Sequence, residues 1–151
     1  MKQYPLIFEA FAATASGIMS RWTTGVKSFN QQLDAAIPPE FDGPGGGYSP
    51  EDFYVLALQN CFMATFKVFA EKSALNFSEL QCAARLEVDR DPNGRPWMAR
   101  LHLQARLSGV SQKEKAQRLL EKTSQSCMIL NSVKTEKSFE FTIIEENGSA
   151  E

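Results

Sequence analysis

The residues in this chain best suited to chemistry are its three cysteines, Cys61, Cys82 and Cys127. Cys61 stands in an almost wholly apolar helical stretch, and Cys127 lies 66 positions later, near the end of a second one. A thiolate is a nucleophile and a soft metal ligand, whereas a buried thiol is an inert small hydrophobe. Position separates the three. Cys82 falls on the aliphatic inward face of a strand and reads as structural. Cys61 and Cys127 have polar neighbours, Asn60 for the first and Ser124, Gln125 and Ser126 for the second, and the two could meet. Such a pair leaves open a thiolate metal site completed by His102, a cysteine hydrolase, or a binding module that never uses its thiols. His102, the single histidine, belongs to the outward face of a strand, a poor place for a shared ligand or a general base.

A working thiol needs a cation. Near its ordinary pKa of about 8.5 it is only a few per cent ionised at neutral pH, and burial lowers that fraction further. The dipole of its own helix cannot help, because Cys61 lies about ten residues, roughly 15 Å, from the helix start. Lys67 projects from another face and Lys72 is about three turns away. The cation therefore has to come from elsewhere in the fold.

Ser49 can cap the first helix, with Pro50 at its first position and Glu51 and Asp52 in its opening turn. Ser111, with Glu114 three residues on, reads as a capping box for the second. Along that second helix Ala116, Leu119, Leu120, Thr123 and Cys127 recur at helical spacing and form the core stripe. Between the helices Leu80, Cys82, Ala84, Leu86 and Val88 alternate with polar residues, and so do Ala99, Leu101, Leu103, Ala105 and Leu107. DPNGRP at 91–96 joins these runs as an antiparallel hairpin. A last strand is expected near 139–144, and one or more strands near 5–28. The order strands, helix, hairpin, helix, strand predicts an α+β domain over residues 1–146, with a curved antiparallel sheet packed on two core helices and a loose tail at 147–151.

Composition narrows the partners. In 151 residues, 16 basic and 18 acidic side chains give a net charge of −2 without long single-sign runs, so neither nucleic acid nor an anionic membrane is expected. The apolar segment from Phe53 to Ala70 carries Gln59, Asn60 and Lys67, which suit a core helix better than a bilayer span. Glu9 interrupts the apolar N-terminal run that would otherwise suggest an export signal. Three cysteines with no zinc or disulfide spacing predict reduced thiols in a cytoplasmic protein. The glycine-rich loop at 35–48 lacks the lysine and hydroxyl residue of a phosphate-binding P-loop.

The stretches YSPEDFYVLALQNCFMATFKVFAEK around Cys61 and LLEKTSQSCMILNSVK around Cys127 resemble the osmotically inducible protein C and organic hydroperoxide resistance family. Pro50-Glu51 followed by Cys61-Phe62 looks like the family's Pro-Glu and Cys-Phe pairs, and Pro39-Glu40-Phe41 with its following glycines looks like the preceding loop. The resemblance runs from about residue 8 to about residue 145. The family's proline after the second cysteine is here Met128, and its usual small residue before the first is Asn60.

That resemblance implies a thiol peroxidase. Cys61 would attack an organic hydroperoxide and become a sulfenic acid, Cys127 would close a disulfide with it, and an external dithiol, such as a lipoyl-bearing protein, would reset the pair. No metal or organic cofactor is implied. Arg21 looks like the family's activating arginine and Glu51 like the glutamate that holds it. Phe62, Met63 and Phe66 on the helix of Cys61 lead us to expect a greasy substrate. Glu51 and Cys61 lie ten residues apart on one helix, so one arginine could hardly bridge them within a chain. An all-round apolar helix also needs more cover than one small sheet supplies, and the expected working unit is an intertwined homodimer with shared sites.

Overall fold

The computed structural model describes residues 2–146, so the expected tail at 147–151 lies outside the described residues. The chain divides into two compact units, one ending at Tyr54 and the other beginning at Val55.

The first unit is built on three antiparallel strands in sequence order, β1 (Ala10–Ala13), β2 (Trp22–Val26) and β3 (Phe29–Ala35). The strands expected near 5–28 are the first two. A short 3-10 helix at Pro39–Phe41 and the glycine-rich loop follow, and Tyr48 bridges back to Ala35. Helix α1 (Pro50–Lys72) then starts on the expected signals. The Ser49 hydroxyl accepts from the Asp52 amide at 3.0 Å, and the Asp52 carboxylate accepts from the Ser49 amide at 2.9 Å. Two of the amides that a helix start leaves without partners are thereby satisfied.

The second unit holds the expected hairpin, β4 (Glu79–Arg90) and β5 (Pro96–Val110), then α2 (Lys113–Ser126), a one-turn α3 (Met128–Asn131) and β6 (Glu136–Glu145). On β5, Ala99, Leu101, Leu103, Ala105 and Leu107 are all buried, as their alternation predicts. Val88 departs from its expected inward setting and is 39% exposed. The register shifts between Glu87 and Val88, and a bulge of that kind turns the following side chains to the other face.

Two further expectations are corrected. The fold is α+β, but it has two three-stranded sheets, and β6 pairs with β5 in parallel. A strand that leaves by a helical crossover and returns beside its predecessor arrives in parallel, so only the other pairings are antiparallel. Ser111 does not cap α2 either: the capping position is Gln112, with no side-chain bond to the helix start.

Helix α1 buries one stripe, Leu58, Phe62, Phe66 and Ala70, spaced four residues apart. Phe62 stacks on Phe139 and Phe141 of β6, each with ring centroids 6.0 Å away, and Phe66 tilts against Phe77 at 5.5 Å. The helix is long and apolar enough to cross a membrane by length and composition, and it buries a single stripe rather than the whole circumference expected of a core helix. Its remaining apolar flanks, including Leu56 and Val68, stay exposed.

Candidate active site

Cys61 and Thr65 occupy the row of α1 beside the buried stripe, one turn apart and both half-buried. The Cys61 Sγ lies 3.9 Å from the Thr65 Oγ1. Cys127 sits where α2 ends and α3 begins, in an extended conformation (φ −66°, ψ 118°) that breaks the helical path. Its backbone serves both helices, since its amide donates to the Thr123 carbonyl at 3.1 Å and its carbonyl accepts from the Asn131 amide at 3.0 Å.

The Cys127 side chain is wholly buried, with the Cys61 thiol and the Thr65 hydroxyl as its polar neighbours. The structure thus brings Cys61 and Cys127 together, 66 residues apart in sequence. Burial pushes the Cys127 thiol up to about 11, and the neighbouring Cys61 adds to that rise. Bonds from the Leu130 amide, in the first turn of α3, and from Thr65 act the other way by favouring the thiolate. All three cysteines carry free thiols. A pair of neighbouring sulfurs, one buried and one half-exposed, can exchange a dithiol for a disulfide with little rearrangement. Thr65 was not among the residues singled out from the sequence; its i+4 spacing from Cys61 is the signal that could have found it.

Arg21 and Glu51 belong to the first unit. Arg21 stands just before β2, and its Nε donates to the Gly45 carbonyl at 2.7 Å. A Cβ at Gly46, where φ is +76°, would lie 3.0 Å from the guanidinium. Glycine at 46 therefore lets the loop backbone close on a cation, which is the opposite of a phosphate cradle. Glu51 lies half-buried in the first turn of α1, and among the described residues it makes no ion pair with Arg21 of its own chain.

His102 is engaged on the outer sheet face, with Nδ1 2.8 Å from the Ser138 hydroxyl and Nε2 3.4 Å from the Glu140 carboxylate. Phe62 and Phe66, expected to favour an apolar substrate, are instead fully buried, Phe62 among the rings of Phe139 and Phe141 and Phe66 against Phe77. Cys82 is half-buried on β4, and burial pushes its thiol up to about 11. A thiol held protonated away from the Cys61–Cys127 pair has a packing role. Cys82→Ala is expected to leave thiol reactivity at Cys61 unchanged and to cost about 1 kcal/mol of stability. Urea unfolding and thiol titration of the variant check this, and a changed reactivity would give Cys82 a chemical role.

A family model described as OsmC-like protein matches residues 43–142. An uncharacterized protein of Acinetobacter baylyi is 24% identical over 140 residues, which cover 92% of this chain and 94% of that protein. Among solved structures, an OsmC-like protein of unknown function from Vibrio cholerae is 19% identical, with a TM-score of 0.79, and the match covers 91% of this chain and 99% of the other. An organic hydroperoxide resistance protein OsmC from Legionella pneumophila is also 19% identical, with a TM-score of 0.71 and coverage of 92% and 98%.

Proposed function

Because this chain belongs to the OsmC-like family, we propose that it is a two-cysteine peroxidase that reduces organic hydroperoxides to alcohols. The contact between Cys61 and Cys127 is the observation that carries this reading. The organic hydroperoxide resistance protein among its structural neighbours supports it.

The Cys61 thiolate attacks the outer oxygen of the hydroperoxide, the O–O bond breaks, and the departing alkoxide takes a proton to leave as the alcohol. Cys61 is left as a sulfenic acid. Cys127 then displaces its hydroxyl, forming a disulfide and water. An external dithiol, such as a lipoyl-bearing protein, reduces that disulfide, because a second thiol is needed to release the mixed disulfide. Arg21 supplies the cation that Cys61 needs, and Glu51 holds that arginine. The protein works in the cytoplasm, where thiols are kept reduced.

The test is anaerobic thiol counting before and after one equivalent of cumene hydroperoxide. Loss of two thiols per chain, with one cumyl alcohol released, is expected. An unchanged count in folded protein would replace the peroxidase with a binding module of the same fold.

The working unit in this proposal is a homodimer with shared sites. The apolar flanks of α1 and the exposed Ile7, Phe8 and Phe29 of the first unit support a covering second copy. A Cys61→Ser chain mixed with a Glu51→Ala chain should regain up to about a quarter of wild-type activity, since half of random dimers are mixed and each keeps one intact site. A fully active monomer in sedimentation would overturn the shared site.

A further inference from the structure

The Cys61–Cys127 pair contains a third chemical group, the Thr65 hydroxyl, in contact with both sulfurs. A hydroxyl donates one hydrogen bond and accepts others, so it can take a proton from one sulfur while giving its own to the group on the other. Resting on the peroxidase reading above, we propose that Thr65 is the proton relay for disulfide closure: its oxygen takes the Cys127 proton as its own proton passes to the hydroxyl leaving Cys61.

The step balances within the three side chains. The S–H bond of Cys127 and the S–O bond of the Cys61 sulfenic acid break, and an S–S bond and a molecule of water form. The Cys61 sulfur is reduced by one electron and the Cys127 sulfur is oxidised by one. Thr65 ends as it began, with an exchanged proton. Cys127 needs such a route because it is wholly buried and its thiol is held well above neutrality, so about one in 10⁴ molecules would be ionised at pH 7. Within the described residues of one chain, Cys61 is the titratable side chain that acts on Cys127. Two neighbouring hydroxyls are committed elsewhere, Thr123 to the Leu119 carbonyl at 2.6 Å and Ser124 to the Glu121 carbonyl at 2.7 Å.

Thr65→Val keeps the shape and removes the hydroxyl, whereas Thr65→Ser keeps the hydroxyl. Each full-length reduced protein is mixed with one equivalent of cumene hydroperoxide, quenched with dimedone at intervals and weighed intact. Sulfenic acid formation is followed separately in each protein, so that closure is timed from sulfenic acid already formed, whatever the rate of peroxide attack. Disulfide closure should slow at least tenfold, the low side of the roughly 10²–10⁴-fold typical of a positioned acid–base group, and Thr65→Ser should restore it. The pH profile separates a relay from a packing defect. Below about pH 10 closure in Thr65→Val should rise nearly tenfold per pH unit, since Cys127 must now ionise first, while the wild type stays flat. Closure in Thr65→Val within twofold of wild type, or no rescue by serine, overturns the relay and leaves the peroxidase standing. Wild-type protein that forms neither sulfenic acid nor disulfide overturns both. If Thr65→Val does not fold, wild-type closure in heavy water decides: slowing by about twofold or more supports the relay, and none overturns it.

Discussion

Replacing Cys61 with serine should abolish hydroperoxide consumption, whereas replacing Cys127 with serine should allow one turnover per chain and then stop. The asymmetry follows from burial. Cys61 is half-exposed and can meet a peroxide, while Cys127 is wholly enclosed, with Cys61 and Thr65 as its neighbours. A hydroxyl in place of the Cys61 thiol is far less acidic and far less nucleophilic toward oxygen, so no slower version of the same attack remains. In Cys127→Ser the sulfenic acid has no partner and persists for dimedone to label, as a mass increase confined to the peptide containing Cys61. Multiple turnovers by the Cys61→Ser protein with a dithiol present would show that the nucleophile had been assigned to the wrong sulfur.

Phe62→Ala should be the most damaging single change to stability. The Phe62 ring is 0% exposed and stacks on both Phe139 and Phe141 at 6.0 Å, so truncation opens a cavity between α1 and β6. Phe→Ala at such sites costs about 3–5 kcal/mol, a large share of the roughly 5–15 kcal/mol that holds a domain folded. Urea unfolding followed by circular dichroism should show the midpoint collapsing. A loss under about 1.5 kcal/mol would mean that the three rings do not form one cluster in solution.

How much of this was legible depends on whether a feature leaves a local trace. The start of α1 did, because Ser49, Pro50 and Asp52 each satisfy or forgo a particular amide at fixed spacing. The faces of β4 and β5 did, until the bulge at Glu87 and Val88 broke the period that the reading assumed. The direction of β6 did not, because alternation is the same read either way along a strand. Strand β3 was missed because Asn30, Gln31, Gln32 and Asp34 place polar residues on both of its faces. The break at Cys127 was hidden as well: the apolar stripe of α2 runs straight into it, and neither glycine nor proline marks the stop. The contact between Cys61 and Cys127 could be suspected from polar neighbours, but the hydroxyl joining them depends on how Thr65 faces a residue 62 positions away.

The position of Cys82 between the other two cysteines sets an order of events for making the protein. In an unfolded chain, ring closure favours the shorter loop, and Cys61 to Cys82 spans 21 residues against 66 for Cys61 to Cys127. The difference amounts to roughly fivefold in favour of the wrong cross-link, by the three-halves power of loop length. Only after β4 has taken Cys82 into the sheet and the crossover through α2 has carried Cys127 to α1 does the long pairing win. Refolding under a thiol reductant, with oxidant added afterwards, should therefore give uniform protein, while oxidation first should trap the 21-residue ring.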